Sequence, residues 1–174
     1  MKNKKLKIFA ILVPLFMIGI IVYLFFSFWE KKEKGKKLEN IPSFRLETVD
    51  GNLFTSKNLM EESMKVIIYF SPDCHFCQAE AEELSKTYFN YKNIQWIWIA
   101  SEPISTIKEF AQKYKLNKQN NIFWCHDEMA RFYRQSEIKS VPYFLVYDTN
   151  NHLLKRNSGA IKVEKLLKNT DEKN

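Results

Sequence analysis

The chain is poor in the residues that interrupt structure. Its 174 residues contain 4 glycines and 5 prolines, too few for a collagen-like repeat or a disordered low-complexity protein. It has no internal repeat, which excludes a solenoid or a propeller. Cysteine and histidine are equally scarce, at 3 each. A structural zinc site needs four ligands, usually in paired spacing. Beyond one C-x-x-C only Cys125, His126 and His152 remain, and none shows that spacing. Charge is missing altogether from Ile8 to Trp29, IFAILVPLFMIGIIVYLFFSFW, a run of 22 residues. As a helix, that length crosses a hydrocarbon core of roughly 30 Å. The run ends FFSFWEKK, without the small-residue site that a cleaved signal peptide requires, so it is expected to remain as an anchor.

The positive charge is confined to the flanks of that run. Residues 1–37 carry nine Lys against two Glu, which already equals the +7 of the whole chain, so residues 38–174 sum to zero. Phosphate recognition needs a basic face on the folded domain; no nucleic-acid partner is expected. The lysines read as lipid-headgroup contacts. They stand on both sides of the run, so their count does not orient it. The expected organisation is a basic tail over 1–7, a transmembrane anchor over 8–29, a charged linker over 30–41 and one domain over 42–170.

That domain is 45% apolar across the chain's composition and alternates in pattern. FRLETVDGNLFTS reads as a hairpin turning at Asp50-Gly51. Val66–Phe70 and Gln95–Ala100 are continuous apolar runs that suit strands covered on both faces. Cys77, Ala81, Leu84 and Tyr88 fall at helical spacing, as do Ile104, Ile107, Ala111 and Tyr114. Ser101 is a candidate cap for the second helix. Further expected elements are a strand at Ile122–Cys125, a helix at Asp127–Arg134, strands at Tyr143–Tyr147 and His152–Arg156, and a helix at Ile161–Leu167. The fold class predicted is α/β, a mixed central sheet flanked by helices and preceded by one transmembrane helix.

SPDCHFCQAE places Cys74 and Cys77 just after a buried strand, at the start of a helix. Free N–H groups and the helix dipole favour an anion there, and a thiolate is the attacking form of cysteine. Asp73 opposes that effect. In an alternating α/β pattern this position reads as a redox dithiol. No organic cofactor and no metal is implied, because the electrons ride on the sulfurs.

On "VIIYFSPDCHFCQAE", "SVPYFLVYD" and Gly159, the chain resembles the thioredoxin superfamily over roughly residues 40–168. Within it the resemblance is to membrane-anchored thiol–disulfide oxidoreductases of the TlpA/ResA type. The resemblance implies Cys74 as nucleophile, Cys77 as resolving thiol and Pro142 as a cis proline facing them. It also implies Glu80 as a proton carrier, whereas composition alone groups Glu80 with Glu82 and Glu83 as a solvated acidic face. His75, Phe76 and Val141 are the implied client contacts. Partners would be proteins with cysteines or disulfides (apocytochrome c is one precedent), a thiol electron donor and membrane lipid. The domain would stand outside the cytosol, on the periplasmic side of the cytoplasmic membrane, with the N-terminus inside.

The chain departs from that pattern at several places. Asp73 stands where Trp is frequent before the first cysteine, and the pair His75-Phe76 contains no Pro. Ile68 replaces a polar residue in the strand, Glu82 a Pro, and Tyr143 a Thr. A Sco-type copper protein is one alternative, although that group uses C-x-x-x-C. Ser71-x-x-Cys74 echoes a peroxiredoxin, but Ile67 stands where its proline belongs. A membrane-bound binding module with a structural disulfide is a third. Cys125 reads as a small buried hydrophobe, and Phe76, Trp96, Trp98 and Trp124 as core or cleft walls.

Overall fold

The computed structural model describes residues 13–29 and 37–168. The chain divides into two units, Met1–Lys37 and Leu38–Asn174. In the first, residues 13–29 form helix α1, with its apolar side chains exposed. Among the described residues no helix is long and apolar enough to cross a membrane. Residues 8–12 of the expected anchor, the basic tail 1–7 and most of the linker lie outside the described residues.

The second unit is built on a seven-stranded sheet in the order β2-β1-β5-β4-β3-β6-β7. Its strands are β1 Arg45–Thr48, β2 Leu53–Thr55, β3 Met64–Tyr69, β4 Ile94–Ala100, β5 Ile122–His126, β6 Tyr143–Tyr147 and β7 Leu153–Ser158. The β3, β4 and β5 strands run parallel, and β1, β6 and β7 pair antiparallel, so the sheet is mixed. The β1–β2 hairpin turns at Gly51, whose φ of 79° suits glycine. The unit begins ahead of Pro42. Leu38 is buried, Asn40 bridges His152, and the Leu153 N–H donates to the Glu39 carbonyl at 2.8 Å.

The continuous apolar runs are explained by two separate cores. Strand side chains alternate between faces. Val66, Ile68, Trp96, Trp98, Trp124 and Phe144 pack on one face with helices α2 His75–Thr87, α3 Ile104–Lys113 and α5 Val163–Leu167. Ile67, Tyr69, Ile97, Ile99, Cys125 and Leu145 pack on the other with Phe132 of α4, Arg131–Gln135. Trp98 and Trp124 stack at 5.0 Å, and Phe70 meets Trp98 edge-on at 5.3 Å. Such pairs contribute about 0.5–1.5 kcal/mol each beyond their burial. They fix Phe70, the residue immediately before the loop that carries the cysteines.

Two expected helix starts are corrected. Ser101 does not cap α3; the capping position is Pro103, which makes no side-chain bond, and the Ser101 hydroxyl engages Tyr69 instead. Nor does the Asp127–Arg134 stretch run as one helix. A 3-10 turn at Glu128–Ala130 comes first, with Met129 and Ala130 both left-handed (φ 54° and 51°). Buried Asp127 holds that turn. Its Oδ1 accepts from Phe132 N–H at 2.9 Å, and its Oδ2 from Tyr133 N–H at 3.0 Å and from the Tyr69 hydroxyl at 3.1 Å.

Candidate active site

The parallel strands β3, β4 and β5 end at one edge of the sheet, where β6 begins. Ligands of open α/β sheets gather at such an edge. After Phe70 the chain turns: Cys74 N–H donates to the Ser71 carbonyl at 3.1 Å, and Gln78 Nε2 to the Pro72 carbonyl at 2.8 Å. Cys74 is the capping residue of α2 (φ −80°, ψ 116°), and its side chain makes no bond to the helix. The residue thus stands at the helix end whose first N–H groups lack intrahelical partners.

The two thiols differ in surroundings. Cys74 is half-buried, whereas Cys77, one turn into α2, is wholly buried. Burial pushes the Cys77 thiol well above the ordinary cysteine range, and its neighbours Cys74 and Glu80 act in the same direction. Burial thus favours the neutral thiol form of Cys77. The Cys74 Sγ lies 3.8 Å from the carbonyl oxygen of Val141, to which it donates. The Val141–Pro142 peptide bond is cis. Pro142 is buried and its carbonyl accepts from Gly159 N–H at 2.8 Å.

Glu80 is not part of a solvated acidic face; it is 5% exposed. Its Oε1 accepts from Ile161 N–H at 2.7 Å, while its Oε2 is buried without a partner. Burial raises its carboxyl to about 7, against the lowering effect of the Ile161 bond and with a further push from Glu83. Glu83 is also drawn inward, accepting from Val163 N–H at 3.2 Å. Only Glu82 fits the surface reading, paired with Lys86 at 2.5 Å in solvent. The sequence did not single out Glu83, and nothing in its local pattern separates it from Glu82.

The remaining expected residues fall into two groups. His75 and Phe76 project from the start of α2 into solvent, Phe76 with 63% of its surface exposed, so it is not core. Val141 is half-buried beside Cys74. Trp96, Trp98 and Trp124 are core. Cys125 is buried on the face of the sheet opposite Cys77, and burial alone raises its thiol. Among the described residues no three His, Cys, Asp or Glu gather as metal ligands. His126 Nδ1 contacts the Glu102 carbonyl at 2.8 Å, and His152 lies 3.6 Å from Asp148. Neither belongs to the set around the dithiol.

Solved structures share this architecture. A secreted disulfide oxidoreductase of Mycobacterium tuberculosis, homologous to E. coli DsbE, aligns over 75% of this chain and 93% of its own, with 22% identity and a TM-score of 0.60. A thioredoxin-like protein of Aeropyrum pernix aligns over 82% and 95%, at 15% identity and a TM-score of 0.60. StoA of Bacillus subtilis aligns over 71% and 92%, at 14% identity and a TM-score of 0.56. The fold is thioredoxin-like. No curated protein sequence matches the chain. The AhpC/TSA family profile, in contrast, matches residues 38–162, a span that takes in both cysteines, Glu80, Pro142 and Ile161, and on that match the chain belongs to the AhpC/TSA family.

Proposed function

We infer that the chain is a thiol–disulfide oxidoreductase acting on protein disulfides or thiols through Cys74 and Cys77. One observation carries this reading: two unlike thiols share the start of α2, one accessible and one buried, with a buried carboxyl on the same side of the helix. In the reducing direction the Cys74 thiolate attacks one sulfur of a client disulfide. That S–S bond breaks, and the second client sulfur leaves as a thiolate. Cys77 gives its proton to the Glu80 carboxylate and attacks Cys74 Sγ, which releases the first client sulfur. Two electrons have then passed to the client, Cys74 and Cys77 are joined, and the client thiolates take up two protons, one returned by Glu80. A thiol donor restores the dithiol by the reverse sequence, and the same steps run backwards oxidise a client.

Glu80 suits the proton step because a carboxyl near 7 exchanges its proton at neutral pH. The edge around Cys74 suits a polypeptide: exposed Phe76 and His75 on one side, and the Val141–Pro142 turn on the other. The fold neighbour from M. tuberculosis is itself described as a secreted disulfide oxidoreductase. The 8–29 run and the exposed apolar surface of α1 support a membrane anchor, with the dithiol domain outside the cytosol, where protein disulfides form.

Trapping tests the reading. With Cys77→Ala, the step that frees the client is lost, so client proteins should remain disulfide-linked to Cys74 in cells and be released by reductant. The double variant lacking both cysteines should trap nothing. Absence of any reductant-sensitive adduct, with no exchange by the purified protein on a disulfide peptide, would sink the proposal. Consumption of hydrogen peroxide that survives Cys77→Ala would favour a peroxidase instead.

A further inference from the structure

Glu80 closes a ring around the dithiol, and Glu83 adds a second tie to the same segment. On α2, residues three apart share a face, and Glu80 and Glu83 both reach the segment that leads into α5. Glu80 takes the N–H of Ile161 at 2.7 Å and Glu83 that of Val163 at 3.2 Å. The same segment begins at Gly159, whose φ of 88° turns its N–H onto the Pro142 carbonyl at 2.8 Å. Pro142 follows Val141, whose carbonyl faces Cys74 Sγ. The path runs from Cys74 through Val141 and Pro142 to Gly159 and Ile161, then through Glu80 back to Cys77.

We propose that Glu83 is a positioning residue for exchange at this dithiol. By gripping the segment at Val163, it holds the Val141–Pro142 turn and the Glu80 carboxylate in place beside the two cysteines. The proposal rests on the oxidoreductase reading above. The segment is held at Gly159 by Pro142 and at Ile161 by Glu80; the Glu83 bond ties its far end, at Val163, to the same helix. The titratable groups that act on or feel Glu80 are Cys77 and Glu83, both on α2; the facing segment contributes the Ile161 N–H donor. The like charge of Glu83 raises the Glu80 carboxyl further, so Glu83 acts on both the place and the proton of its neighbour.

The test uses the full chain in detergent micelles. Reduction of a disulfide-bonded reporter peptide is followed from pH 5 to 9, and the Glu80 carboxyl is titrated by 13C NMR. Glu83→Gln keeps an acceptor for Val163 and loses the charge; Glu83→Ala loses both; Glu82→Gln is the control. The Glu80 midpoint should fall by about half a pH unit or more in Glu83→Gln, which loses the charge alone. Glu83→Ala should also lower kcat/KM by about five-fold or more at its own optimum, and Glu82→Gln should match the wild type. Should Glu83→Ala prove unfolded, the pH profile of Glu83→Gln decides. Profiles and midpoints that overlay the wild type in the Glu83 variants overturn the proposal, leaving Glu83 a mere tie between α2 and α5. A midpoint that moves with no change in exchange overturns it too. A wild-type chain that exchanges at no pH overturns the oxidoreductase reading itself, and is recognised because it precedes any comparison of variants.

Discussion

Glu80 accepts the Ile161 amide proton at 2.7 Å with one carboxylate oxygen and leaves the other buried and unpartnered. One oxygen anchors the side chain to a segment 81 residues away, and the other is free to hold a proton. A fully ionised carboxylate in that position would lack half its solvation, which is why its proton leaves only near pH 7.

The Glu80→Gln substitution should therefore act in two ways. Exchange should slow by roughly ten-fold or more, at the lower end of general acid–base effects, and lose its pH dependence near 7. Stability should change with a definite sign. The unfolded carboxyl titrates near 4.5 and the folded one near 7, so the folded protein retains a proton that the unfolded chain releases in between. Wild-type stability falls as pH rises through that window, by on the order of 3 kcal/mol at most, and is flat above it. Glu80→Gln should match the wild type near pH 4 and exceed it at pH 8 in urea denaturation. A variant less stable than wild type at pH 8 would refute this account of Glu80.

Alkylation should rank the thiols. Cys74 is the accessible one, while Cys77 and Cys125 are wholly covered. With limiting iodoacetamide at neutral pH, peptide mapping should find Cys74 modified first. Earlier modification of Cys77 or Cys125 would reverse the roles assigned to them.

Asp127→Ala removes the acceptor of two backbone N–H groups and of the Tyr69 hydroxyl at once. The cost should be about 2–4 kcal/mol, as for other buried hydrogen-bond networks. The alkylation rate of Cys74 should stay within about two-fold, because Asp127 supports the opposite face of the sheet. A loss below about 1 kcal/mol would mean that the left-handed turn at Met129 and Ala130 holds itself.

A membrane-impermeant maleimide applied to intact cells should label Cys74 from outside the cytoplasmic membrane. Labelling that requires permeabilised cells would place the domain on the cytosolic side and remove the exported reading.

What was legible in the sequence were features whose cause is local. Val66–Phe70 and Gln95–Ala100 read as two-faced strands because every residue is apolar or tolerably so, and both faces are covered. Cys74 and Cys77 were legible because the break between strand and helix is written in the same ten residues. Ser101 misled because the helix opens later than its pattern suggests, with Pro103 in the capping position. The left-handed pair Met129 and Ala130 was illegible, since neither residue favours that conformation; the bonds made by Asp127 impose it. Glu80, Glu82 and Glu83 look alike in sequence. Only the return of Ile161 and Val163 across α2 separates the first and last from the middle one.

The placement of Cys125 has a consequence for the life history of the protein. Three thiols allow three internal pairings, and a disulfide needs Cα atoms within about 7 Å. Cys125 lies two strands from β3 and on the far side of the sheet from Cys77, and adjacent strands are about 4.8 Å apart. Once the sheet has formed, only the pairing of Cys74 with Cys77 is open. A wrong cross-link within the chain must therefore be made early, before the sheet has formed. Vulnerability to a wrong internal disulfide belongs to the birth of the molecule, and the finished sheet is free of it.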